Sequence, residues 1–371
     1  MKKSLLALFV LFGLFLLSAC GDAEAGDDSQ GTPNVTTPNV AVDEPDTAGE
    51  GELDAGLDEV VTIIDFEGEA IEVGINPRVV AVYDFGILDI LYNIGFERTG
   101  IETLIIPNST GGLPASLSYF EDADFVHNGG TLFYVDRDVL DLIQPELVIL
   151  GARAFGMNAA GERLNDDDRD AFRDETLARY DNTAWIRLGP GREVNLVEDM
   201  VTSANALALI FPDLAADIMA ELEAIIAGIE GVYELASASD STAIFTMMMD
   251  ATSLSVFNPG SRFNMLYEEF GFRPADPEAS LDFTDQHGFD VRAEYLLSID
   301  PDIIFVLDRS NNMIGPGAAF ENITADPIVA QTSAAQNGNI IALDPTSWYT
   351  ITGGFGAARQ MIADLMNYLE Q

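Results

Sequence analysis

"PELVILGAR" (145–153) and "PDIIFVLDR" (301–309) follow one plan: a proline, an acid, a run of four or five apolar residues, and an arginine eight positions after the proline. Each is preceded by a short helical pattern with an acid, Asp138 or Glu294, seven residues before the proline. A short apolar run bounded by Pro on one side and Gly or Asp on the other reads as a strand buried in a parallel sheet. A second pair repeats in the same order, "LYNIGF" (91–96) and "LYEEFGF" (266–272), each closing a helix. Two matches in register predict two similarly built α/β lobes. In such sheets ligands bind just beyond the carboxyl ends of the strands, where Arg153 and Arg309 fall. An isolated arginine there would be read as a helix cap or a surface ion pair; the matched positions point instead to a shared cleft.

Outward from these stretches the pattern is consistent. "VVTIIDFEGEAIEV" (60–73) reads as a hairpin, "RVVAVY" (78–83) as a strand, and "GILDILYNIG" (86–95) as a helix stopped by Gly95. From about residue 195 the chain becomes wholly helical, and Pro212 suits the first turn of a helix of about 20–24 residues. At ~1.5 Å per residue such a helix spans roughly 30–36 Å, enough to bridge two lobes. Alternation resumes beyond Ser239 and ends in a helix over about 354–370. The expected division is 59–211 for the first lobe, 212–238 for the bridging helix and 239–371 for the second lobe.

The beginning of the chain is of another kind. "MKKSLLALFVLFGLFLLSAC" has a basic start, an apolar stretch and small residues before Cys20, the arrangement of a secretory signal peptide over 1–19. Leu17-Ser18-Ala19-Cys20 resembles a bacterial lipoprotein box, which makes Cys20 a lipidation site. Cys20 is the single cysteine, so no intrachain disulfide can form. Residues 21–58 carry eleven acids and no base. With Cys20 they read as an extended, disordered tether. This places the folded part outside the cell, anchored to the outer face of the membrane.

Composition excludes some partners. The 371 residues hold 62 acids and 17 bases, a net charge of −45. Lys2 and Lys3 are the only lysines, so a nucleic-acid surface is not available. The acidity reads as a solvated surface. Two histidines are too few for a multi-His zinc site; His127 reads as structural. No Gly-x-Ser-x-Gly elbow or phosphate loop occurs, which argues against an enzyme.

Arg262, in "VFNPGSRFNMLYEEFGF", follows a strand-like run and a Pro-Gly turn at the start of a helix, where anions are favoured. His287 in "TDQHGFD" and Trp348-Tyr349 in "DPTSWYTITGG" lie in loops expected at a cleft rim.

Together, "NPRVVAVYDFGILDILYNIGF", "GGTLFYVDRDVLDLIQPELVILGAR", "FNPGSRFNMLYEEFGFRPAD", "HGFDVRAEYLLSIDPDIIFVLDR" and "NGNIIALDPTSWYTITGG" resemble the siderophore-binding lipoproteins of iron ABC importers. The resemblance is to the group that takes up ferric catecholates, petrobactin and enterobactin-like ligands among them. It implies a class III substrate-binding protein: two α/β lobes with mainly parallel sheets, joined by one long helix, with the ligand between them. It further implies that Arg153, Arg262 and Arg309 bind the siderophore. His287 and Tyr349 would bind it too, completing iron coordination where the ligand leaves sites open. On physical grounds Trp348 and Tyr349 offer faces for catechol stacking, with a packed core residue as the alternative reading of Trp348. Asp138 and Glu294 would dock on the permease; as first-turn acids they would also stabilise their helices. The transported ligand is the Fe(III)–siderophore, with no intrinsic cofactor, and the protein is expected to be monomeric. Ferric hydroxamates, haem and cobalamin are the alternative ligands. Two departures stand out: the missing lysines, and a long acidic stretch over 154–181 that borders the expected cleft.

Physical reasoning favours an anion despite the net charge. Distant charges are screened over ~8 Å, whereas a guanidinium about 4 Å from a ligand charge gains ~4 kcal/mol of gross Coulomb energy at an effective dielectric of ~20. Arginine also bonds bidentately and stacks on rings, which lysine does not.

Overall fold

The computed structural model describes residues 59–108, 112–121, 123–189, 195–248, 253–277, 288–309 and 319–370. Cys20, the leader, the tether and His287 lie outside the described residues. All that is described belongs to one compact unit, Gly56–Gln371.

The first half opens with an antiparallel hairpin, β1 (Val60–Ile64) and β2 (Ala70–Gly74). Then come β3 (Val79–Tyr83), helix α1 (Phe85–Asn93), β4 (Thr103–Ile106), β5 (Val126–Asn128) and a minute hairpin, β6 (Gly130–Thr131) and β7 (Tyr134–Val135). Helix α2 (Arg137–Ile143), β8 (Leu147–Leu150), α3 (Asp166–Arg179) and β9 (Ala184–Arg187) complete it. Its sheet has the order β5-β4-β3-β8-β9 with every pairing parallel. Strands β3 and β8 are buried along almost their whole length, as central strands covered on both faces must be.

Helices α4 (Leu196–Ile210) and α5 (Ala215–Ser237) follow, with Pro212 opening a single 3₁₀ turn between them. Helix α5 buries Ile218, Leu222, Ile225, Ile229 and Val232, a three-and-four spacing that makes one apolar stripe. That stripe packs on α4 and on the closing helix.

The second half contains β10 (Thr242–Met248), β11 (Leu254–Phe257), α6 (Met265–Glu268), β12 (Arg273–Pro274), β13 (Phe289–Val291), α7 (Ala293–Ile299) and β14 (Ile303–Asp308). It ends with α8 (Ala319–Ala325), α9 (Ser333–Asn337), β15 (Ile340–Leu343) and α10 (Phe355–Leu369). The sheet order is β13-β11-β10-β14-β15, with β12 also on β10. Pairings of β10 with β12 and β14, and of β14 with β15, are parallel. Those of β11 with β10 and β13 are antiparallel. This sheet is therefore mixed at one edge: the short link from Met248 to Leu254 cannot make the crossover that a parallel neighbour requires.

The paired sequence stretches take equivalent conformations. Helices α2 and α7 both end in a left-handed non-glycine residue directly before the proline, Gln144 (φ 54°) and Asp300 (φ 42°). Gly95 and Gly271 likewise stand at positive φ, 87° and 79°.

One apolar core joins the halves, running from Val80 and Leu88 through Leu222 to Phe245, Trp348 and Met361. Two carboxylates bolt the halves together at helix starts. Asp89 of α1, 1% exposed, accepts from Gly356 N (2.6 Å) and Ala357 N (3.3 Å) at the beginning of α10. Glu269, just after α6, accepts from Leu196 N (2.9 Å) and Val197 N (2.8 Å) at the beginning of α4. Each half thus satisfies backbone donors that the other leaves open. Close approach is enforced here: a Cβ on Gly86 would lie 2.7 Å from the Thr352 carbonyl.

Candidate functional site

Tyr349 lies in a π-helical turn, Thr346–Thr350, between β15 and α10. Its residues differ in exposure. Trp348 points inward and is 0% exposed. Its Nε1 donates to Asp364 (2.9 Å), and its ring packs against Phe245 and Phe270. The stacking surface expected from Trp348 is therefore not offered to a ligand; the indole is a core residue whose N–H finds a half-buried carboxylate partner.

Tyr349 is half-buried and gathers the three arginines. Guanidinium carbons of Arg262, Arg309 and Arg153 stand 4.5, 5.1 and 5.5 Å from its ring centroid. Arg153 and Arg262 also donate to the Tyr349 carbonyl, at 3.0 and 3.3 Å. Arg153 comes from the turn after β8, Arg309 from the end of β14, and Arg262 from the turn that leads into α6. Strand ends of both sheets thus deliver charge to one ring.

The three guanidinium groups stand close enough to repel one another. Burial lowers the Arg262 pKa to about 10; Arg153 and Arg309 push the same way, opposed by Tyr349. Among the described residues neither Arg153 nor Arg262 forms an ion pair, whereas surface arginines such as Arg98 and Arg273 pair with Asp217 and Asp240. Cation–π contacts, worth about 0.5–2 kcal/mol each, offset part of the repulsion.

A nearby carboxylate escaped the sequence reading. Asp84 follows β3 and caps α1, accepting from Gly86 N (2.8 Å) and Ile87 N (3.1 Å). Burial pushes its pKa up to about 6, while the Ile87 amide and then Arg153 pull it back. Gly151 and Gly189 close over it: a Cβ on either would come within 3 Å of its carboxylate. The strand-end rule that singles out Arg153 applies equally to "AVYDFG", and it is the signal that would have found Asp84.

Asp138 and Glu294 are exposed in the first turns of α2 and α7. His127 is exposed in β5. No group of three or more His, Cys, Asp or Glu suited to a metal ion occurs among the described residues, nor a helix long and apolar enough to cross a membrane.

A family profile described as "Periplasmic binding protein" matches residues 80–346. The chain belongs to this family. It is 26% identical over 372 residues to the petrobactin-binding protein YclQ of Bacillus subtilis (strain 168), covering 100% of both chains. It is 22% identical over 297 residues to the ferric-anguibactin-binding protein FatB of Vibrio anguillarum, covering 78% of this chain and 82% of that one. The crystal structure of YclQ superposes with a TM-score of 0.69 at 27% identity, over 84% of this chain and 99% of that one. The periplasmic catecholate-siderophore binding protein VctP of Vibrio cholerae gives 0.69 at 23%, over 83% and 100%, a likeness of fold. The architecture is that of the class III binding proteins of this family.

Proposed function

We propose that this protein binds an anionic ferric siderophore of the catecholate type and delivers it to an ABC permease. It acts outside the cytoplasmic membrane, as a monomer tethered through a lipidated Cys20 and without catalysing a reaction. The observation that carries this reading is the convergence of Arg153, Arg262 and Arg309, drawn from both halves, on the single ring of Tyr349. A phenol held among guanidinium groups is a chemical stand-in for a catecholate ring, which would add negative charge to the same contacts. YclQ and VctP, whose names state petrobactin and catecholate ligands, support the assignment.

Three cations around a trianionic ferric complex supply opposite charges at short range, where screening by the acidic surface is weak. Tyr349 and His287 are the candidates for direct iron contact, a phenolate oxygen and an imidazole. Loss of a phenolate-to-iron absorption band in Tyr349→Phe would test the first of them. Exposed Asp138 and Glu294, one on each half, are assigned to docking on the permease. Charge reversal at both should abolish uptake and leave ligand affinity intact.

The deciding experiment is quenching of intrinsic fluorescence by a panel of ferric catecholates, ferric hydroxamates, haem and cobalamin. Selective, tight binding of the catecholates is expected. Single Arg→Gln replacements at 153, 262 and 309 should each weaken it about tenfold or more, ~1.4 kcal/mol. Equal affinity for neutral hydroxamate complexes, or indifference to all three replacements, would remove the reading.

A further inference from the structure

The long stretch that follows Arg153 doubles back before it enters α3. Met157 and Arg163 stand opposite each other in an antiparallel bridge, and Leu164 N donates to the Gly156 carbonyl (3.0 Å). Asn158 ties the tip of this loop: its side chain accepts from Ala160 N and Glu162 N, both at 3.0 Å, and donates to the Glu162 carboxylate at 2.8 Å. The loop over 156–164 is thus held in shape by its own hydrogen bonds.

It docks on the tip of the β6–β7 hairpin, where Met157 N donates to the Phe133 carbonyl (3.0 Å). Gly156 lies beside both Phe133 and Arg153: a Cβ there would stand 3.5 Å from the Phe133 ring and 3.1 Å from the Arg153 carbonyl. The hairpin follows β5 and the loop follows β8. Since every pairing in the first sheet is parallel, both leave the same carboxyl edge that carries Asp84 and Arg153.

Two side chains here are unusual. Leu132 packs on the main core and Tyr134 stacks on Phe172 with centroids 6.1 Å apart, yet Phe133 between them is left 37% exposed. Thr131 Oγ1 accepts from Phe133 N (3.2 Å) and Tyr134 N (3.1 Å), so the ring is carried on a fixed turn. Arg163 is exposed and forms no ion pair among the described residues, whereas the surface arginines Arg98, Arg179 and Arg273 are all paired. Its neighbour Glu162 is engaged by Asn158 instead. An exposed aromatic ring and an unpaired guanidinium on adjoining segments repeat, at the rim, the chemistry of Tyr349 and its arginines.

We propose that Phe133 and Arg163 form an outer wall of the ligand site, Phe133 packing on a catecholate ring and Arg163 pairing with catecholate oxygens, so that the loop over 156–164 takes part in choosing the ligand. The proposal rests on the ferric catecholate reading above. A ferric tris-catecholate presents rings on several sides, and the inner cluster meets one of them. The probe is a ferric hexadentate tris-catecholamide, titrated by fluorescence quenching.

Phe133→Leu should weaken binding of the probe about fivefold, while Phe133→Tyr, which keeps a ring, stays within about twofold of the parent. Arg163→Gln should weaken it about threefold, a difference that fades in about 1 M salt, where charges are screened over ~3 Å. Parent-like binding by Phe133→Leu or by Arg163→Gln would overturn the outer wall. So would a Phe133→Tyr loss as large as that of Phe133→Leu, or an Arg163→Gln loss that salt does not reduce. Arg262→Gln in the same assay separates the two readings. If it binds like the parent, the arginine reading fails and the outer wall with it; if it weakens binding and the rim variants do not, the outer wall alone fails.

Discussion

Arg262 grips Tyr349 at two points: its guanidinium carbon lies 4.5 Å from the ring centroid, and Nη2 donates to the same residue's carbonyl at 3.3 Å. The contact is made although burial and two neighbouring arginines depress the Arg262 pKa to about 10. Charge held in an unfavourable place is what a binding site keeps and a purely structural site discards. Arg262→Gln is therefore expected to raise the melting temperature of the ligand-free protein by a few degrees, at about 2–4 °C per kcal/mol for a large domain. The same change should lower ferric catecholate affinity at least tenfold. Scanning calorimetry beside a binding titration checks both signs; a less stable ligand-free variant would show the charge to be structural.

Removing the ring tests the opposite dependence. Tyr349→Leu takes away the surface shared by three guanidinium groups and should destabilise the ligand-free protein by about 1–3 kcal/mol. Tyr349→Phe keeps the ring and should stay within about 0.5 kcal/mol in urea unfolding.

Trp348, one residue earlier, should behave differently. Trp348→Ala empties a core position and removes one donor to Asp364, at a cost of about 3–5 kcal/mol. The milder Trp348→Phe should lower stability while leaving ligand affinity within about twofold. A large affinity loss in a folded Trp348→Phe protein would restore the indole to the binding surface.

Asp199 on α4 gives the fold a pH dependence. It is 4% exposed, and its Oδ2 has no hydrogen-bond partner among the described residues. Burial first, then Glu269, raises its pKa to about 8. Between the ordinary carboxylate pKa of about 4 and this value, the folded protein keeps a proton that the unfolded chain has released. Stability contributed by this group is thus full at the acidic end and declines as pH rises towards 8. Asp199→Asn should flatten that decline, melting several degrees above the parent at pH 8 and much closer to it at pH 5. Parallel curves for the two proteins would refute the assignment.

The carboxylates at helix starts make a fifth test. Asp89→Ala removes the acceptor for Gly356 and Ala357, and Glu269→Ala the acceptor for Leu196 and Val197. Each should cost about 1–2 kcal/mol, the usual penalty for losing a side-chain cap. Hydrogen exchange should rise at the first turn of α10 in one variant and of α4 in the other.

Much of this was legible in the sequence because the deciding signals are local. A proline after a short helix, then an apolar run, fixes each strand; an arginine at its carboxyl end is then placed by sheet geometry alone. The repeat extends even to the left-handed residues Gln144 and Asp300, which precede the two prolines. What escaped depends on phase or on distance. Whether Trp348 or Tyr349 faces the core is set by the pitch of a π turn, which composition does not encode. The antiparallel edge of the second sheet follows from one short link. Asp89 meets its partner amides 267 positions away, and no pattern near "ILDIL" announces a cap on another helix. The acidic run over 166–179 hid a helix because its anchor is one aromatic, Phe172, among many charges.

The exchange of carboxylates between Asp89 and Glu269 bears on how such a chain can be recombined. A hybrid that takes its front portion from one relative and its rear portion from another inherits two promises that must be kept by different parents. Swaps should succeed where both parents place an acid at these positions, and misfold where only one does, however well the ligand-contacting residues agree.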